Sequence, residues 1–193
     1  MSVSGYTQPL TYSPTARLFH WLTAALVLIM IPAGIVMANL EGGPTKDFLY
    51  NLHRSIGALL LPIVLVRLAY RLTHPAPPLP ADLPSVLRWA AHANHWALYA
   101  LLIIQPLIGW IATSAYRAPV LFFWLFELPP IWPVNRAFSE QAFTVHRVIG
   151  VAIALLVCAH IGAALYHHFI RRDGTLMRMV RGTPVPATAP GVS

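Results

Sequence analysis

Apolar residues in this chain gather into four long runs, at about residues 16–39, 48–72, 89–114 and 142–171, with prolines, charges and polar residues between them. Each run has the roughly 20 residues that a helix needs to cross the hydrocarbon core of a bilayer. The first follows a leader without the basic stretch of a signal peptide and is too long for its apolar core, so it reads as a retained span. The pattern predicts an all-α fold, an integral membrane four-helix bundle at residues 1–181, with 182–193 as a flexible tail. Sites in such bundles form between facing helices.

The connections differ in kind. Residues 73–84 read THPAPPLPADLP, whose prolines forbid helix and favour a stiff polyproline-like strap. Residues 115–140 carry Phe122, Phe123, Trp124, Phe126 and Trp132 among further prolines. Aromatic rings of this kind favour the membrane interface, which predicts a short interfacial helix or lid over this stretch.

Composition narrows the picture. At 57% hydrophobic and 10% charged, with mean hydropathy +0.62, the chain is too apolar for an ordinary soluble domain. Its net charge of +7 comes from cations at the ends of apolar runs, which suits lipid headgroups and excludes a nucleic-acid stripe. The single cysteine, Cys158, lies inside the fourth run, and no C-x-x-C-H motif offers covalent haem attachment. With four spans both termini share a side, which then holds eight of the 13 Lys and Arg. The positive-inside rule therefore places both termini in the cytoplasm.

Within the apolar runs, histidines are the outstanding chemistry. His146 and His160 are 14 residues apart, close to four helical turns, so they leave one face of the fourth helix roughly 21 Å apart along its axis. His20 lies near the cytoplasmic start of the first span and His53 near the outer start of the second. Depth alone pairs His53 with His146 and His20 with His160. Two neutral imidazoles from different helices are what a b-type haem needs as axial ligands, and two such sites would form an electron path across the membrane. His92 and His95, on one face of the third span, are the alternative ligands; His74 and His168 read as surface groups.

The second and fourth spans share a local pattern, Leu52-His53-Arg54-Ser55-Ile56-Gly57 and Val145-His146-Arg147-Val148-Ile149-Gly150. Arg54 and Arg147 are candidates to bind haem propionates, since guanidinium pairs bidentately with carboxylate. Gly57 and Gly150 clear space one turn beyond each histidine. Gly34 and Gly109 fall 14 residues after His20 and His95 and would open the same faces at the level of the other haem, or simply allow close helix packing.

These features in order resemble the bacterial cytochrome b561 family, within the larger group that includes the b-type cytochrome subunits of nickel hydrogenases. The resemblance runs from Arg17-Leu18-Phe19-His20-Trp21 through Leu52-His53, Val66-Arg67-Leu68, Ala91-His92-Ala93-Asn94-His95 and Tyr99 to His146, His160, His167-His168 and Asp173-Gly174-Thr175-Leu176. It implies two b haems per chain, with metal ligands His20, His53, His146 and His160, in a bacterial inner membrane. Similarity to the standalone superoxide-oxidising type implies superoxide as outer electron donor, drawn in by Arg54, Arg147 and Lys46, and ubiquinone as cytoplasmic acceptor near His95, His167 and Arg88. The long aromatic third loop departs from that type and favours a second expectation, a membrane anchor and relay subunit serving a periplasmic dehydrogenase, hydrogenase or c-type cytochrome.

Overall fold

The computed structural model describes residues 11–182, so nearly all of the expected tail lies outside the described residues. Four long helices are present: α1 Pro14–Asn39, α2 Pro44–Thr73, α3 Ser85–Tyr116 and α4 Arg136–Tyr166. All are long and apolar enough to cross a membrane, and this is a multi-pass membrane protein. Each begins a few residues earlier than the apolar pattern indicates, because polar caps and prolines start helices ahead of their hydrophobic run. Ser13 caps α1, accepting from the Ala16 N–H, and Pro14 stands in its first turn; Asn135 caps α4 by accepting from Phe138 N–H at 3.0 Å. Pro44 opens α2 after Gly43, whose φ of 143° only glycine adopts readily.

Helix α3 packs most extensively on α4, and α2 packs on both α1 and α3, while α4 hardly approaches α1 or α2. A gap therefore runs along the inner face of α4. Midway along the bundle it is closed by a layer of Val27, Leu60, Val64, Leu102 and Ile153. Ile153 lies halfway in sequence between His146 and His160, so this apolar layer separates two histidine levels.

The third connection is not a helix. Val120–Phe122 (β1) and Phe126–Leu128 (β2) pair antiparallel, Val120 opposite Leu128 and Phe122 opposite Phe126. β-Branched and aromatic residues favour this extended form over a helix, and the flanking prolines at 119, 129 and 130 deny a helix its hydrogen bonds. The expected lid character survives. Ser55 Oγ lies 2.8 Å from Asn51 O and 2.9 Å from Leu121 O and accepts from Phe123 N–H at 2.8 Å, pinning the hairpin to α2. At its tip Phe123 and Trp124 have φ of 47° and 60°, left-handed values that cost bulky residues on the order of 1–3 kcal/mol each. Trp124 stacks on Phe48 with ring centroids 5.1 Å apart, which helps hold that conformation.

At the opposite end, the proline strap meets the segment after α4. That helix continues as one wider turn, His167–Arg171, followed by a short helix α5, Thr175–Val180, which the apolar pattern did not reveal. Arg178 donates to Pro78 O at 2.9 Å, and Trp21 donates to Met179 O at 3.1 Å. Gly182 still closes α5 through its N–H to Met177 O, so the folded part extends one residue into the stretch expected to be flexible.

Candidate functional site: two histidine levels in the bundle

At the hairpin end, His53 of α2 faces His146 of α4 with ring centroids 6.1 Å apart and planes inclined by 73°. They line a cavity of about 1750 Å³ together with Gly34, Gly57, Gly109 and Gly150. His146 Nδ1 lies 3.1 Å from Gln105 O, which can only accept, so Nδ1 carries the proton and the Nε2 lone pair is free. Gln105 also donates to His146 O at 2.9 Å, fixing the ring from α3. Both nitrogens of His53 are buried without a hydrogen-bond partner among the described residues. Burying polar atoms unpaired is costly, and a ring that bonds a metal through one nitrogen recovers that cost.

At the strap end, His20 of α1 faces His160 of α4, again with centroids 6.1 Å apart and planes inclined by 55°. Rings bonded to one first-row metal from opposite sides stand roughly 6 Å apart, since each metal–nitrogen bond is about 2 Å. Both pairs meet that spacing. His95 of α3 also approaches His160, at 5.2 Å, closer than a shared metal requires, and it is accessible to solvent. His92 is exposed as well.

The expected role of two glycines changes. A methyl group at Gly34 would lie 3.2 Å from His53 Cε1, and one at Gly109 only 2.9 Å from His146 Cε1. These glycines make room for the imidazoles themselves. At Gly57 and Gly150 the nearest atoms are Met30 Cε at 3.6 Å and Gln105 Nε2 at 3.3 Å, and both positions border the cavity as expected.

A 14-residue spacing recurs on all four helices: His20 and Gly34, His53 and Arg67, His95 and Gly109, His146 and His160. Three of these intervals join residues that stand out in the sequence; Arg67 does not stand out, although the same interval marks it. At the hairpin level glycines stand beside both histidines. At the strap level their places are taken by Arg67, whose Nη2 donates to His20 Nδ1 at 3.0 Å, and by His95 beside His160.

The remaining candidates are dispersed. Arg54 borders the cavity and donates to Pro119 O at 3.1 Å; Arg147 borders it and donates to Thr144 Oγ1 at 3.1 Å. Asp47 and Glu140 line the same cavity, so the cations there are balanced locally. Lys46 is engaged with Leu40 O at 2.7 Å. Arg88 is spent on the carbonyls of Ala81 and Leu83. His167 Nδ1 lies 2.5 Å from Asp173 Oδ2, and among the described residues no hydrogen bond or ring contact joins Arg88 or His167 to His95.

Outside the spans, burial raises the Asp173 carboxyl, but hydrogen bonds from Thr175 and His167 outweigh it and bring the group down to about 2. Burial pushes the Tyr12 phenol up against the opposing charge of Arg71.

Fold and side chains together define the class: a helical multi-pass membrane protein with facing histidines at two depths of its interior. Within that class the chain belongs to the prokaryotic cytochrome b561 family, whose model matches residues 11–182. It is thus a b-type cytochrome of electron transfer, and the family implies b-type haem. It is 34% identical over 177 residues to cytochrome b561 homolog 2 of Escherichia coli K12, covering 89% of this chain and 92% of that protein. It is 27% identical over 161 residues to the probable superoxide oxidase CybB of Yersinia pestis, covering 83% and 90% respectively. Cytochrome b561 homolog 1 of Escherichia coli K12 is 28% identical over 170 residues, covering 88% and 96%.

Proposed function

We propose that the protein carries electrons across the bacterial inner membrane between two b haems, one between His53 and His146 and the other between His20 and His160. The observation that carries this reading is the repeated 6.1 Å separation of the two pairs at opposite levels of the gap beside α4. When bound, the haems supply one-electron redox chemistry at buried iron. The chain's own residues set its conditions. His146 is oriented by Gln105 O, and the apolar layer around Ile153 keeps water from the middle of the path.

Both termini face the cytoplasm in this proposal, as the bias of Lys and Arg indicates. Superoxide is the favoured donor at the hairpin end, a choice supported by the name of the Yersinia pestis relative. Two superoxide ions surrender two electrons and leave as dioxygen; ubiquinone at the strap end takes those electrons with two protons from the cytoplasm. His95, accessible and close to His160, is placed to hydrogen-bond a quinone carbonyl and pass it a proton. His167 and Arg88 are engaged instead with Asp173 and with the carbonyls of Ala81 and Leu83.

A second reading, relay from a periplasmic dehydrogenase, hydrogenase or c-type cytochrome, is favoured by the exposed Leu125 and Phe126 of the hairpin, where a partner could dock. A superoxide pulse given to the purified, oxidised protein separates the two. The first reading expects haem reduction that outruns spontaneous dismutation, and quinol formation when ubiquinone is present. Haem reduction only when a periplasmic protein is added would replace it with the second.

A further inference from the structure

We propose that Arg67 and Arg71 form a carboxylate-binding site for the edge of the haem at the His20 and His160 level, Arg67 giving up His20 to the incoming carboxylate. This rests on the haem reading above.

In the structure Arg67 Nη2 donates to His20 Nδ1, and a guanidinium has no acceptor, so Nδ1 holds a lone pair and the ring's proton is on Nε2. A neutral imidazole has only one free lone pair. If His20 bonds iron through Nε2, its proton moves to Nδ1, and two N–H groups then oppose each other. Arg67 must then turn from His20 to another acceptor, and the Tyr99 ring 5.2 Å from its guanidinium carbon is neutral and leaves its charge unbalanced.

Among the described residues no acidic side chain is placed to accept from Arg67. The chain's six acidic residues are Glu41, Asp47, Asp82, Glu127, Glu140 and Asp173. Asp47 and Glu140 border the cavity at the hairpin level; Asp82 is bonded by Arg171 at 2.6 Å, and Asp173 by His167, Arg171 and Thr175. Glu41 and Glu127 belong to the connections at the hairpin end. Arg71, one turn beyond Arg67 on α2, has a buried Nη1 with no partner among the described residues. Arg67 is within electrostatic reach of His20, His95 and His160, and Arg71 of His95, so both cations stand at this histidine level. Two guanidiniums one turn apart, with donors to spare and no acid of their own, suit an oxyanion that arrives with a ligand. At the other level, glycine occupies the positions that would correspond to Arg67 and His95.

A lipid phosphate has the same acceptor chemistry as a haem propionate, so the experiment must tell them apart. The apoprotein is loaded with haem or with its dimethyl ester, which keeps the porphyrin and iron but loses both carboxylates. Occupancy of the two haem components is read from optical redox titration in the parent, Arg67→Gln, Arg71→Gln and Arg67→Lys. The parent should prefer the acid over the ester at the strap level, and each Gln variant should lose about tenfold of that preference, the worth of one hydrogen bond to a charged group. Arg67→Lys should retain part of it. The midpoint of the strap-level component should also fall in both Gln variants, because removing a cation favours ferric iron, while the hairpin-level component stays unchanged.

Unchanged acid preference in the Gln variants overturns the proposal. So does loss of a co-purifying phospholipid, seen by native mass spectrometry, without any change in acid preference; the anion would then be lipid phosphate. The hairpin-level haem in the same sample reports that each variant is folded. A parent with no haem at the strap level would instead defeat the functional reading.

Discussion

A single methyl group at position 109 probes whether the imidazole of His146 is held for a purpose. In Gly109→Ala the new carbon would lie 2.9 Å from His146 Cε1, and that ring is tethered to Gln105 O and has little freedom to retreat. Overpacking of this kind costs on the order of 1–3 kcal/mol. The hairpin-level component should be lost or weakened in a redox titration while the strap-level component persists. Gly162→Ala, where nothing lies within 4 Å, should leave both unchanged. The histidines themselves were legible in the sequence, because ionisable rings inside apolar runs are rare and a 14-residue interval has an immediate helical meaning. Arg67 obeys the same interval but was concealed: an arginine near the end of a span reads first as a topology signal. Gln105 could not be found, since its service to His146 depends on how α3 packs against α4.

Among the elements, the hairpin is tied to α2 by one buried hydroxyl as well as by the Trp124–Phe48 stack. Ser55→Ala removes the acceptor for Phe123 N–H, leaving a donor whose loss costs about 1–3 kcal/mol if it stays buried. Hydrogen exchange across residues 120–128 should accelerate, with little change within the helices. The four helices were readable from hydropathy, while their first turns, set by caps and prolines ahead of the apolar runs, were not. The hairpin was not, because three-residue strands are too short for alternation to declare itself and the prolines around them spoke only against helix.

At the other end, Asp173 secures the turn into α5. Its folded-state value, about 2, lies below the ordinary 3.8, so its contribution is fully present above the ordinary value and disappears as pH falls through about 2. Asp173→Asn should speed exchange in residues 175–180 at neutral pH. The ratio of variant to parent rates should approach one in strong acid, whereas a ratio independent of pH would assign the effect to shape alone.

On the scale of the whole molecule, one helix serves both histidine levels while the opposing histidines come from two others. In the proposed assignment the sites share α4 but no ligand, so they should be separable by mutation. Their separability gives the most direct test of two b haems on four histidines: the pyridine haemochrome yield per chain, measured in the parent, His53→Ala and His160→Ala. The account predicts two noncovalent haems in the parent and one in each variant, the missing optical component differing between the two variants. One haem in the parent, or two in either variant, would contradict it.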